Sequence, residues 1–126
     1  MKKINTKYLE TAFIQTIEGI FNLENNLKNY EPFIKSFKEQ VFDLNEADKE
    51  QFLKEFKEAL LITYNNPEEV NLGDLFIEAT DANLNEPGDL LTLIKLFWKF
   101  FYGDEDIEKD EYKNLKFIIT SEETPF

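Results

Sequence analysis

Carboxylates are the reactive groups this chain holds in quantity: 26 Asp and Glu against 14 Lys, with no His, no Cys and no Arg. Two short runs of them carry the spacing of a calcium loop. Asp81-x-Asn83-x-Asn85 matches the first three ligand positions, and Asp104-x-Asp106-x-Glu108 does so with acids. A calcium loop also needs Gly at its sixth position for the sharp turn and a bidentate Glu at its twelfth. The first run offers Glu86 and Thr92 there, the second Lys109 and Leu115. Both fail where the geometry is strictest, so the runs read as turns and helix caps. No metal and no cofactor is expected.

Other chemistries fare no better. Ser36 and Ser121 are the only serines, and no His is present to activate them. Without Cys there is no thiolate nucleophile, disulfide or Cys-ligated metal. The glycines at 19, 73, 88 and 103 are isolated, so no phosphate-cradling loop exists. Paired carboxylates do glycosidase work in other proteins, but among 26 acids chance pairs carry no information. No catalytic residue is assigned.

What remains is where the charge lies. Residues 1–63 hold 9 Lys and 11 acids; the rest holds 5 Lys and 15 acids. The net charge of −12 therefore sits mostly in the second half. From Glu58 to Ile94 there is no basic residue at all. Glu68, Glu69, Asp74, Glu78, Asp81, Glu86 and Asp89 fall in that stretch, and Asp104, Glu105 and Asp106 follow. These ten form the candidate partner-binding set. A field of this sign repels phosphates, so direct nucleic-acid binding and attraction to anionic membranes are both disfavoured. Lysine without arginine also removes bidentate recognition of phosphate and guanine.

Helical periodicity must position these acids. Leu9, Phe13, Ile17, Ile20, Leu23 and Leu27 recur at spacings of three and four, which predicts a first helix from about Thr6 to Asn29. Glu31-Pro32 opens a second, striped by Phe33, Ile34, Phe37, Val41 and Leu44. Asn45 caps a third, with Asp48 placed to reach back and Phe52, Phe56, Ala59, Leu60 and Thr63 facing inward. Asn66-Pro67-Glu68-Glu69 reads as another capped start, with a short helix following through Leu72, Leu75, Phe76 and Ala79.

Residues 86–102 are apolar around most of the helix circumference, since Thr92, Lys95 and Lys99, with Gly88 and Gly103, share a strip of roughly 80°. Such a helix belongs at the centre of its domain or under a partner. Gly103 stops it. Leu115–Thr120 suits a helix and a strand equally, and Ser121–Phe126 reads as a frayed tail.

The expectation is a single acidic domain over 1–126, all-α, a compact bundle of five or six helices around 86–102. A short C-terminal strand would make it α+β. Met1-Lys2-Lys3 lacks a following apolar run, and Leu90–Tyr102 is too short to span a bilayer, so a cytoplasmic location is expected. The expected function is that of a non-enzymatic inhibitor or immunity-type protein, blocking a basic toxin or nucleic-acid-handling protein. The alternative is a structural or chaperone-like module that self-associates or packs a partner helix through 86–102.

Overall fold

The computed structural model describes residues 2–17, 27–80, 88–103 and 105–125. Strand β1 (Lys2–Asn5) leads into α1 (Lys7–Ile17). A 3-10 turn at Leu27–Tyr30 precedes α2 (Glu31–Phe42), α3 (Glu46–Asn65), α4 (Pro67–Val70) and α5 (Leu72–Thr80). Helix α6 (Gly88–Tyr102), a 3-10 turn at Asp110–Tyr112 and strand β2 (Phe117–Thr120) complete it. The helical bundle expected from periodicity is present, with a small parallel sheet of β1 and β2 beside it.

The helix starts are set by local chemistry. Asn45 Oδ1 accepts from the Asp48 N–H at 2.9 Å, and Asn45 Nδ2 donates to the Asp48 carboxylate at 2.8 Å. This satisfies one of the orphan donors of α3. Pro32 and Pro67 sit in the first turns of α2 and α4, where a missing N–H costs no hydrogen bond. Gly103 closes α6 at φ 81°, a conformation glycine adopts without strain.

Two expected boundaries change. The first helix is preceded by a strand, and Leu27–Tyr30 is a separate 3-10 turn rather than its last turn. Residues 18–26 lie outside the described part. The C-terminal ambiguity resolves as a strand: β2 runs parallel to β1, with Ile4 opposite Ile119. Nor is the start of the tail frayed. Asn5 Nδ2 donates to the Glu122 carbonyl and Asn5 Oδ1 accepts the Glu122 N–H, both at 3.0 Å.

The core is one cluster of buried apolar side chains. Phe97 of α6 packs between Phe13 of α1, 6.2 Å away by ring centroids, and Phe56 of α3, 6.0 Å away. Phe56 meets Phe101 edge-on at 5.1 Å, and Phe13 meets Phe76 of α5 the same way. Edge-to-face contacts of this kind add about 0.5–1.5 kcal/mol each beyond area burial. Leu90, Leu93, Ile94, Phe97, Trp98 and Phe101 of α6 are buried, while Leu91, Leu96 and Phe100 are half-buried. Helix α3 shares the centre, packing against α1, α2, α4, α6 and β1.

Candidate partner-binding surface

Helices α4 and α5 carry the first four predicted acids. Asn71 joins the two helices in the left-handed conformation, at φ 59°, which asparagine tolerates better than most residues. Its N–H closes α4 on the Glu68 carbonyl, and its own carbonyl accepts the Leu75 N–H of α5. Val70, Leu72, Phe76 and Thr80 turn inward and dock the pair on α1 and α3. That fixes the opposite side. Glu68, Glu69, Asp74 and Glu78 are all exposed, and Ile77 lies among them, 42% exposed.

No lysine reaches these four carboxylates within ion-pair distance among the described residues. Asp74 accepts a hydrogen bond from Asn71 Nδ2 at 3.0 Å. Asp74 and Glu78, four apart, share one helix face, where like charges repel by a few tenths of a kcal/mol. Part of the cost is offset locally. Glu68 and Glu69 occupy the first turn of α4 and Asp74 that of α5, where the helix dipole favours negative charge.

The last predicted acids behave differently. Glu105 is held by Lys109 and, at 3.7 Å, by Lys57 of α3. The hydrogen bond from Lys109, helped by the charge of Lys57, lowers its carboxyl below the ordinary glutamate value, and Lys109 is raised in return. Asp106 Oδ1 accepts the Glu108 N–H at 3.0 Å, which is the turn-forming role its spacing suggested. Both acids line a hollow of about 350 Å³ together with Lys95, Trp98 and Lys99. That hollow is mixed in charge, so Glu105 is removed from the free acidic set. Asp81, Glu86 and Asp104 lie outside the described residues. Asp89 belongs to α6 by its backbone, and its side chain also lies outside.

Asn66 departs from its expected role. Its side chain caps nothing. Instead Nδ2 donates to the Ile62 carbonyl at 3.0 Å and to the Tyr112 carbonyl at 2.8 Å. Asn65 does the same for the Ile107 carbonyl and accepts the Lys109 N–H. Two adjacent amides therefore tie the 107–112 segment to the end of α3.

A second surface was not legible beforehand. Lys2, Lys3, Lys54, Glu55, Glu58 and Glu122 line a cleft of about 370 Å³ where the chain ends meet α3. Glu58 there accepts from Lys2 at 3.3 Å and from the Tyr112 hydroxyl at 3.1 Å. Glu58 raises Lys2, while burial first and Glu58 second push the Tyr112 hydroxyl up. The cleft is assembled across more than fifty residues of sequence, and its members sit in no local motif.

Among the described residues no group of three or more His, Cys, Asp or Glu gathers as a metal site. Among the described residues no helix is long and apolar enough to cross a membrane. No protein-family model, no curated protein and no solved structure matches the chain, so a function must be argued from its own residues.

Proposed function

We propose that this protein is a non-enzymatic acidic inhibitor that binds and blocks a basic protein partner through the outer face of α4 and α5. One observation carries the reading: Glu68, Glu69, Asp74 and Glu78 are exposed together and free of lysine partners among the described residues. Carboxylates on a rigid scaffold take the places of phosphates in a cationic groove. Opposite fields speed the encounter. The target class is a toxin or nucleic-acid-handling protein whose working surface is basic.

Burial of Leu90, Leu93, Ile94, Phe97, Trp98 and Phe101 supports this reading over one in which α6 packs a partner helix. Those side chains are already used by the protein's own core.

The test is affinity capture on the immobilised chain, followed by an activity assay of the captured protein. The wild type should capture a basic protein and suppress its binding to nucleic acid or its enzymatic turnover. The variant with Glu68, Glu69, Asp74 and Glu78 all changed to Lys should bind at least about 100-fold more weakly while keeping its helical content. Equal capture by both chains would refute the assignment.

A further inference from the structure

Among the described residues strand β2 has a free outer edge, and its parity can be read from the hydrogen bonds. The Thr120 carbonyl accepts the Thr6 N–H at 3.0 Å, so the amides of Thr120 point towards β1. The N–H and C=O of Glu122 also point that way, to Asn5. Along an extended chain these groups alternate sides. The amides of Phe117, Ile119 and Ser121 therefore face outward. Among the described residues no strand lies beyond them. Ile118 is 45% and Ile119 49% exposed, with no proline or charge inside the strand. An apolar edge of this kind is a template for another strand.

We propose that β2 pairs antiparallel with β2 of a second copy, centred on Ile119. The register follows from the parity. Hydrogen-bonded pairs need outward amides on both strands. The longest such arrangement sets Ile119 opposite Ile119 and Phe117 opposite Ser121, twice. The same register puts Lys116 directly opposite Glu122 of the other copy, also twice. Lys116 and Glu122 are both exposed, and neither is in an ion pair among the described residues. The edge is thus self-complementary in charge as well as in hydrogen bonding, which selects a second copy over an unrelated peptide.

The contact is one short strand, smaller than the roughly 1,200 Å² of stable specific interfaces. The dimer is therefore weak, with Kd between about 10 μM and 1 mM. Sedimentation equilibrium of the full chain over that concentration range should show reversible dimerisation. Amide exchange should slow with concentration at Phe117, Ile119 and Ser121, and stay unchanged at Ile118 and Thr120.

Ile119→Pro removes an outward donor while leaving the β1 ladder intact, so it should abolish the dimer and preserve the fold. Lys116→Glu sets like charges opposite one another and should raise Kd about tenfold. Adding Glu122→Lys should restore it, an outcome that a merely structural role for either residue would not give. A chain that stays monomeric to about 1 mM overturns the proposal. So does a dimer whose Kd ignores the charge reversal and its swap, and these variants decide the matter should Ile119→Pro unfold the chain.

Discussion

The ammonium of Lys57 lies 3.7 Å from the Glu105 carboxylate and stands over the rings of Trp98 and Tyr102, at 5.7 and 5.6 Å. A lysine of the balanced half of the chain thus neutralises an acid of the negative half. Glu105 Oε1 is engaged by Lys109 as well. On α4 and α5, by contrast, Glu68, Glu69, Asp74 and Glu78 are exposed with no lysine within ion-pair distance among the described residues.

This pairing has a pH signature. The folded-state pKa of Glu105 is depressed from its ordinary 4.5, first by the Lys109 hydrogen bond and then by Lys57. A depressed carboxyl contributes stability above its unfolded value, and that contribution is lost as pH falls through the folded value. Acid unfolding should therefore begin to include Glu105 below pH 4.5. Glu105→Gln should flatten the stability profile in that window and leave its slope near neutral pH unchanged, as read by urea midpoints at a series of pH values.

Asn66 offers a sharper structural test. It is 4% exposed, and its amide bridges α3 to the Tyr112 carbonyl. Asn66→Ala leaves that carbonyl without a donor. The expected loss is about 1–3 kcal/mol in urea unfolding, with faster amide exchange across 107–112. A change below about 0.5 kcal/mol, the range of ordinary surface substitutions, would show that the bridge is idle.

The same consideration of scale applies to the ring cluster. Phe56 is fully buried and meets Phe37, Phe52, Phe97 and Phe101. Phe56→Ala should cost about 3–5 kcal/mol, because the surrounding rings cannot close the cavity. Asn45→Ala removes only a cap and should cost about 1 kcal/mol. Thermal or urea denaturation of the two variants checks the ordering; a cap variant less stable than the ring variant would contradict this view of the core.

Local signals carried much of this fold. The start of α3 is visible because Asn45 and Asp48 are three residues apart, and capping is a short-range interaction. The inward face of α3, and Ile34, Phe37 and Val41 of α2, are visible because periodicity reports burial directly, whereas Phe33 of the expected α2 stripe is 52% exposed. Strand β1 was not visible. Lys2–Asn5 has one apolar residue, Ile4, and becomes a strand only by pairing with residues at the far end of the chain. Asn66 was misplaced for the same reason: beside Pro67 it resembles a cap, while its amide reaches Tyr112, 46 residues away. The acids divide likewise. Glu68, Glu69, Asp74 and Glu78 are exposed as helical periodicity implies, whereas the partners of Glu105 depend on where α3 lies in space.

The free carboxylates of α4 and α5 are proposed to drive association with a basic partner. The most direct test is the salt dependence of affinity for the captured protein, compared between the wild type and the variant carrying Lys at 68, 69, 74 and 78. The wild-type Kd should rise steeply as ionic strength passes about 0.15 M, where the screening length falls to about 8 Å, and the variant should fail to bind at low salt. A wild-type affinity that is flat or tightens with salt, or a reversed variant that binds equally well, would contradict that role for the carboxylates.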